Sequence, residues 1–387
     1  MAEREYYFDN SATTKISPKA LASVMEAYES FGNPSSLHKK GVDASKRIKQ
    51  ASASVARLLG CDGMGNIIFT SGGTEANNLA LLGGFYSKKR RVGDTVMITD
   101  SEHASVENAA IKLEKEGYKV IRVPTLKGEL DVDFIRANLS SSVVMASFMS
   151  VNNETGAVYN IKDAFAVIKK YDPNIITHTD AVQALGKIRI DARRLNCDMI
   201  SVSSHKIHGP MGIGALYVSK EIIKAKKISP IFYGGGQQGD LRSGTENLPA
   251  ILGFGTACDE AFTSFASNVE RMSAVREYLV QRLSSLDVKI NAPLTCAPHV
   301  VNITLPGIKS EVMLHFLSAS DIYISGGSAC SSNHPSISRA LKSFGLSDFD
   351  ADCSVRISIS YVNTTEEVDF LVEKLESGIA TLVKRKK

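Results

Sequence analysis

The stretch Ser203-Ser204-His205-Lys206 places a lysine directly after an apolar, strand-like run at 199–202. Turn-forming residues follow it in the sequence IHGPMGIG. Most lysines at strand ends are simply solvated. A lysine that is desolvated between a strand and a tight turn can instead act as an amine nucleophile or form a Schiff base. Lys206 is therefore the first candidate for covalent chemistry.

Glycines and hydroxyls follow the strand-like run IIFT, in the sequence Ser71-Gly72-Gly73-Thr74-Glu75, and a helical pattern comes next. Free backbone N–H groups at the start of a helix hold anions such as phosphate. The alternative is a tight turn in which Thr74 caps the helix, and this stretch alone does not decide between the two. The spacing matches neither the dinucleotide-binding fingerprint nor the P-loop.

Three more polar positions follow strand-like runs. His103 comes after VMIT, Asp180 after IITHT, and the polar stretch VNNETG (151–156) after VMASFMS. A lone histidine is more often structural, and the polar stretch could be a plain loop, whereas a buried carboxylate needs a cation or several hydrogen bonds. Together with Lys206 and the glycine turn, these positions match pyridoxal phosphate, which uses a lysine, an acid and a phosphate cradle.

Such positions require a sheet whose strand ends meet at one edge. Short β-rich runs alternate with helical patterns, at 66–70, 95–99, 119–123, 143–148, 175–179, 199–203 and 215–218. The alternation predicts an α/β fold with a mostly parallel sheet and helices on both faces. Ligands of such sheets gather at the carboxyl ends of the strands, which is where the candidate residues lie.

The two ends of the chain show other patterns. A helix begins at Ser17-Pro18, and it repeats apolar residues on one face: Leu21, Val24, Met25 and Tyr28. Beyond residue 264, a long amphipathic helix, short strands near 300–305 and 355–359, and a last helix with the capping box Thr364-x-x-Glu367 indicate an α+β unit. We therefore expect a large domain over residues 16–263 and a small α+β domain made of residues 1–15 and 264–387.

Composition argues against several classes of protein. The 387 residues are 43% hydrophobic and 22% charged, and a formal net charge of +4 is too small to favour nucleic acid as a ligand. We see no signal peptide and no run of about 20 apolar residues, so we expect a cytoplasmic protein without a membrane partner. The six cysteines lack paired or Cys/His spacing, so we expect neither disulfides nor a metal site.

Eight stretches, in order along nearly the whole chain, resemble the cysteine desulfurases of the NifS/IscS type within the class V aminotransferase group. They are FDNSATT (8–14), FGNPSSLH (31–38), FTSGGTEANNLA (69–80), VNNETG (151–156), TDAVQALGK (179–187), SSHKIHGPMGIGALYV (203–218), GGGQQGDLRSGTEN (234–247) and SGGSACSS (325–332). The resemblance implies the type I fold of pyridoxal phosphate-dependent transferases and the conversion of L-cysteine to L-alanine.

The resemblance also implies a role for each candidate residue. Lys206 would form the Schiff base, Asp180 would hold the pyridine nitrogen, and Gln183 would bind the phenolic oxygen. His103 would stack on the ring and share proton transfer. The phosphate would be bound by Gly73, Thr74, Ser203 and His205, and by Thr245 from the other subunit of a homodimer. Asn153 would lie beside the cofactor and, with Arg356, would bind the substrate carboxylate.

Cys330 lies in a glycine- and serine-rich stretch, 325–332, whose composition favours neither helix nor strand. An exposed thiolate in such a stretch can attack the substrate sulfur and hold it as a persulfide. A sulfur-acceptor protein, serving iron–sulfur cluster assembly or tRNA or cofactor thiolation, would then receive it. The stretch after Cys330 is shorter than in housekeeping members, which favours a dedicated thiolation partner over an iron–sulfur scaffold.

Two other kinds of function stay open on the sequence. A selenocysteine lyase, a cystine lyase or an aminotransferase would use the same cofactor and fold, although simple transamination needs no cysteine like Cys330. A non-catalytic sulfur-carrier or assembly protein would keep the fold without turnover. The presence together of Lys206, Asp180, His103 and Arg356 argues against that second possibility.

Overall fold

The computed structural model describes residues 5–87, 93–326 and 337–385. The strands in these ranges are β1 (Tyr6–Tyr7), β2 (Gly65–Thr70), β3 (Thr95–Thr99), β4 (Lys119–Val123), β5 (Val143–Ser147), β6 (Ile176–Asp180), β7 (Met199–Ser203), β8 (Gly214–Ser219), β9 (Lys289–Ile290), β10 (Val300–Thr304), β11 (Ile322–Tyr323) and β12 (Ser354–Ser358).

The α-helices of the same ranges are α1 (Pro18–Glu29), α2 (Lys39–Leu58), α3 (Gly73–Asn78), α4 (Gly84–Ser87), α5 (Ala104–Lys115), α6 (Val132–Asn138), α7 (Ile161–Tyr171), α8 (Ala192–Leu195), α9 (Lys220–Lys224), α10 (Leu248–Thr263), α11 (Phe265–Leu283), α12 (Ser310–Ser318), α13 (Arg339–Phe344), α14 (Asp348–Asp352) and α15 (Thr365–Thr381). A π-helical turn, Leu79–Gly83, joins α3 to α4, and 3₁₀ turns span Leu126–Gly128 and Ser204–Lys206. In this part of the chain, no helix combines the length and apolarity that crossing a membrane requires.

The central sheet has, within the described ranges, seven strands in the order β2-β8-β7-β6-β5-β3-β4. The pairs β4–β3, β3–β5, β5–β6 and β6–β7 are parallel. Strand β8 runs antiparallel to both of its neighbours, β7 and β2. The prediction of an α/β fold with a mostly parallel sheet is therefore confirmed.

Helices cover both faces of this sheet. Successive residues of a strand point to opposite sides, so each strand contributes side chains to the core on both faces. In β8, Ala215 and Tyr217 belong to one buried cluster, together with side chains of α2, α7 and α10. Leu216 and Val218 belong to another, together with side chains of α3 and α5. This double coverage explains why the strands read as nearly continuous apolar runs.

The two ends of the chain share a separate core. Strand β10 pairs antiparallel with β12 and β9, and β1 pairs in parallel with β11. Phe8 is buried among side chains of α11, α12 and α15. The capping box of α15 is present, with Thr364 and Glu367 bonded reciprocally. The domain limits at 16–263 and at 1–15 with 264–387 stay a prediction.

Helix α1 begins at Pro18 as predicted, with Ser17 as its N-cap. Its repeated apolar residues Leu21, Met25 and Tyr28 are exposed, and the residues it buries are Ala20 and Ala27. Small side chains allow α1 to approach α10 closely, and a Cβ atom at Gly253 of α10 would come within 2.6 Å of Val24 Cγ2. The contact between the helices therefore includes Val24 of α1 against Gly253 of α10, whereas Leu21, Met25 and Tyr28 are exposed.

Candidate active site

The predicted site residues gather at one edge of the sheet because four strand ends meet there. Thr70, at the end of β2, and Ser203, at the end of β7, both pair with Gly214 at the start of β8. Asp180 ends the neighbouring strand β6. A cavity of about 160 Å³ opens at this edge. The predicted residues that line it are Gly73, Thr74, His103, Asn153, Asp180, Gln183, Ser203, His205, Lys206 and Arg356.

Lys206 lies in the 3₁₀ turn Ser204–Lys206, directly after β7. Its Nζ donates to the carbonyl oxygens of Ser11 and Ala12, at 2.5 and 2.6 Å. A second lysine, Lys187, is buried behind it and donates from Nζ to the Lys206 carbonyl oxygen at 2.6 Å. Burial, helped by the charge of Lys206, lowers the pKa of Lys187 to about 7. The turn that carries Lys206 is thus fixed at both its amine and its backbone.

Asp180 is a buried carboxylate that neutral donors hold in place. Asn77 Nδ2 donates to its Oδ2 at 2.7 Å, and the backbone N–H of Val182 donates to its Oδ1 at 2.9 Å. Glu102, fully enclosed nearby, has its pKa raised to about 8 by burial and then by the charge of Asp180. A pKa above neutrality keeps Glu102 protonated at neutral pH.

His103 is the N-cap of α5 and connects to Asp180 through two side chains that the sequence analysis missed. The backbone N–H of Ser105 donates to His103 Nδ1 at 3.2 Å, and Ser105 Oγ lies 2.8 Å from the same nitrogen. Asn77 Nδ2 donates to Ser105 Oγ at 2.9 Å as well as to Asp180. Nδ1 therefore accepts, and the ring hydrogen of neutral His103 lies on Nε2. An α-helix over residues 73–78 places Asn77 one turn after Gly73, so helix periodicity is the signal that could have identified Asn77.

The other end of the cavity holds the residues predicted to bind phosphate. Helix α3 begins at Gly73 with Gly72 as its N-cap, so Thr74 does not cap it. Ser203 Oγ is buried and has no hydrogen-bond partner among the residues that the structure describes. Burial, together with the charges of Lys206 and Lys187, lowers the pKa of His205 to about 4. His205 is therefore neutral at physiological pH and can donate or accept a hydrogen bond.

Arg356 lies in β12 and is one of the largest fully enclosed side chains, with 1% of its surface exposed. Its Nη2 donates to Asp9 Oδ1 at 2.7 Å, and its Nη1 donates to the Asn153 carbonyl oxygen at 2.9 Å. Its Nε is buried without a partner in the described part of the chain. Arg356 lines the cavity. A guanidinium has five N–H donors and the two bonds above use two of them, which leaves donors that suit an anionic ligand.

Among the described site residues, Thr245 does not line this cavity. Thr245 is exposed on the surface of the chain, and the segment before it is held to the start of α3 by an ion pair between Arg242 Nε and Glu75 Oε1 at 2.8 Å. Its predicted role belongs to a second subunit, so it stays a prediction. Cys330 lies outside the described residues.

Comparison with known proteins agrees with this geometry. The model of the aminotransferase class-V family matches residues 6–371. A cysteine desulfurase IscS from Clostridium botulinum is 36% identical over 379 residues, which cover 96% of this chain and 94% of the relative.

Two solved structures share the fold over nearly the whole chain. A NifS-like protein matches with a TM-score of 0.91 and 32% identity, covering 98% of this chain and all of the other. A protein described as SspA in complex with cysteine matches with a TM-score of 0.80 and 31% identity, covering 93% of this chain and all of the other. The chain therefore belongs to the class-V aminotransferase family, among the cysteine desulfurases of the NifS/IscS type.

Proposed function

We propose that this chain is a cysteine desulfurase that holds pyridoxal phosphate on Lys206, converts L-cysteine to L-alanine and passes the sulfur through Cys330 to an acceptor protein. The observation that carries the proposal is the single cavity at which the Lys206 amine, the Asp180 carboxylate and the Arg356 guanidinium meet. Members of this family depend in general on pyridoxal phosphate, and the cysteine bound to one structural neighbour supports cysteine as the substrate.

The side chains of the cavity fit this cofactor. A phosphate group needs donors at one end, where the buried Ser203 hydroxyl has no partner among the described residues. A protonated ring nitrogen needs an acid, and Asp180 lines the cavity with its charge held by Asn77. An aldehyde needs an amine, and Lys206 supplies it. Each of the cofactor's three functional groups therefore has a matching residue.

When bound, pyridoxal phosphate supplies an aldehyde for the substrate amine and a ring that accepts negative charge. Lys206 would hold the cofactor and would move the Cα proton of the substrate. Asp180 would bind the ring nitrogen, Gln183 would bind the phenolic oxygen, and His103 would lie against the ring and share the proton transfer. The Cys330 thiolate would attack the substrate sulfur, so that an S–S bond forms as the substrate Cβ–Sγ bond breaks. The electron pair of the broken bond stays on the carbon, which takes up a proton and leaves as L-alanine.

The remaining residues bind and orient. Arg356 and Asn153 hold the substrate carboxylate, for which a guanidinium fixed by Asp9 is preorganised. The phosphate is held by Gly73, Thr74, Ser203 and His205, together with Thr245 of the partner subunit in a homodimer.

The test is to incubate the protein with L-cysteine and a reductant, as the wild type and as Lys206→Ala and Cys330→Ser. We expect equal amounts of alanine and sulfide from the wild type and neither product from the two variants. Cys296→Ser is the matched control, because Cys296 is a partly buried cysteine outside the cavity, and it should behave as the wild type.

Borohydride reduction followed by digestion and mass spectrometry locates the cofactor independently of turnover. The pyridoxyl group should be found on Lys206. A group attached elsewhere, or a protein that takes up no cofactor, would refute the proposal. Alanine formation that continues undiminished in Cys330→Ser would point instead to a lyase.

A further inference from the structure

His299 is a buried histidine that contacts a residue of the cavity and has no part in the function proposed above. It immediately precedes β10, and none of its surface is exposed. Its Nε2 lies 3.2 Å from Gln183 Oε1. Gln183 itself lines the cavity. The contact therefore joins the core next to β10 to the site at the edge of the central sheet.

The hydrogen bonds of Gln183 fix the orientation of its side-chain amide. The backbone carbonyl oxygen of Ser11 can only accept, and Gln183 Nε2 donates to it at 3.0 Å. The other amide atom, Oε1, therefore faces His299. Because Oε1 can only accept, His299 Nε2 must carry the hydrogen.

The surroundings of the other ring nitrogen, Nδ1, indicate that His299 carries no second ring hydrogen. Its Nδ1 is buried and has no hydrogen-bond partner among the described residues. Burial places the pKa of His299 well below its usual value, and nearby cations act in the same direction: Lys187, Arg356, Lys206 and Arg276. His299 is thus a neutral imidazole in the Nε2–H form, and its one donor is used by Gln183.

While the Lys206 amine is free, Ser11 alone holds Gln183 weakly, because its carbonyl oxygen is shared. Lys206 Nζ donates to the same oxygen at 2.5 Å, and a charged donor forms the stronger bond. The contact with His299 has no such competitor among the residues that the structure describes. Without the His299 imidazole, Gln183 Oε1 would be buried without a hydrogen-bond donor. This loss costs free energy and favours a rotation of the amide.

We propose that His299 is a positioning residue that holds the Gln183 amide with its nitrogen towards the cavity. Gln183 Nε2 has two hydrogens, of which Ser11 takes one, and the other serves an acceptor inside the cavity. On the proposed function, on which this inference rests, that acceptor is the phenolic oxygen of pyridoxal phosphate.

The first test is a pH titration of the visible absorption of the cofactor-loaded protein. A donor to the phenolic oxygen weakens the hold of that oxygen on the proton it shares with the neighbouring nitrogen, so the proton leaves at lower pH. We expect His299→Leu to raise the titration midpoint by about 1 pH unit. His299→Gln keeps an N–H group near the position of Nε2 and should restore the wild-type midpoint.

Two further variants separate positioning from general damage. In a Gln183→Ala background, His299→Leu should cause no additional shift, because its effect passes through Gln183. His178→Leu removes another buried imidazole, whose ring nitrogens contact Ser147 and Ser201 and no residue of the cavity. It should lower the melting temperature and leave the midpoint in place. An additive shift in the double variant, or an equal shift in His178→Leu, would overturn the proposal.

The second test needs no cofactor. NMR of ¹⁵N-histidine in the apoprotein, with the His299 signals assigned by their loss in His299→Gln, reports the protonation of each ring nitrogen. We expect hydrogen on Nε2 alone throughout the range of about pH 6 to 8. Hydrogen on Nδ1 would overturn the proposal whatever the enzyme does. A wild type that binds no pyridoxal phosphate would instead refute the proposed function and leave this measurement valid.

Discussion

Arg356 is a charged side chain that its neighbours hold in one orientation. Asp9 and the Asn153 carbonyl oxygen each accept a hydrogen bond from one terminal nitrogen of the guanidinium. A planar guanidinium fixed in this way offers the remaining N–H groups in a set direction, which a lysine ammonium cannot do. The residue is therefore suited to recognise a carboxylate by geometry as well as by charge.

Arg356→Lys should raise the KM for L-cysteine about 10- to 100-fold, because the charge remains while at least one charge-assisted hydrogen bond is lost. Steady-state measurement of alanine formation checks this expectation. Arg282→Lys is the matched control, since Arg282 of α11 pairs with Asp369 of α15 on the surface and neither residue lines the cavity. An unchanged KM in Arg356→Lys would remove Arg356 from substrate binding.

Ser105→Ala should lower kcat roughly tenfold and displace the pH profile of kcat, because it removes the hydroxyl that connects Asn77 to His103 Nδ1. KM should change little. Ser101→Ala removes an equally buried hydroxyl that bonds to Tyr159, and its kinetics should match the wild type. If both variants keep the wild-type pH profile, His103 does not depend on this connection.

At the scale of elements, the strands of the central sheet could be predicted because period and composition agree. Strands β3, β4 and β7 have the predicted bounds, β2 and β5 differ by one residue at one end, and β6 and β8 differ by one residue at each end. The exposed face of α1 could not be predicted, because an apolar stripe does not say which neighbour covers it. Ser11, Ala12 and Asn77 were missed for a related reason: their contacts with Lys206 and Asp180 cross long sequence separations and involve backbone atoms or neutral amides that no motif marks.

Helix α13 begins nine residues after Cys330, and its N-cap Ser338 also donates to the buried Glu154 Oε2 at 2.6 Å. Ser338→Ala should destabilise the protein by about 1 kcal/mol, as expected for a lost N-cap, and should also slow alanine formation roughly tenfold by freeing this end of the chain segment. Denaturant titration and product analysis measure the two effects.

Ser347→Ala is the control for this prediction. Ser347 caps α14 with the same geometry, accepting from Asp350 N at 3.1 Å, and its loss should cost similar stability without slowing turnover. Equal activities of the two variants would show that the Glu154 contact does not matter for catalysis.

At the scale of the whole molecule, the predicted homodimer can be tested by complementation. A heterodimer of Lys206→Ala with Thr245→Val contains one site with Lys206 from one chain and Thr245 from the other. If Thr245 acts across subunits, that site is intact and should bind half an equivalent of pyridoxal phosphate with wild-type affinity. Binding no tighter than in the Thr245→Val homodimer would show that Thr245 acts within its own chain or not at all.

The stability of the whole molecule should fall as the pH drops below about 6.5. Burial lowers the pKa of His178 to about 3 and that of His205 and His208 to about 4, and places the pKa of His299 far below its usual value. The unfolded chain therefore binds protons that the folded chain does not. Glu102, Glu154 and Asp100 act in the opposite direction, since burial raises the pKa of each carboxyl group, but they are three groups against four.

Melting temperatures of the apoprotein at several pH values between about 7 and 5 check the sign of this effect. His178→Gln should flatten the dependence while lowering the melting temperature at neutral pH. A melting temperature that stays constant or rises towards pH 5 would contradict the burial of these imidazoles in their neutral form.

The connection that carries Lys206 starts and finishes at adjacent positions, since Ser203 pairs with Gly214 across β7 and β8. Surface connections ordinarily accept extra residues with little harm. Here an added residue between 204 and 213 would leave both strands paired and would move the amine, so the protein would fold and lose its chemistry. The protein should therefore not tolerate an insertion in this connection, while connections that carry no site residue should accept one. An insertion scan would then locate the nucleophile without any substitution.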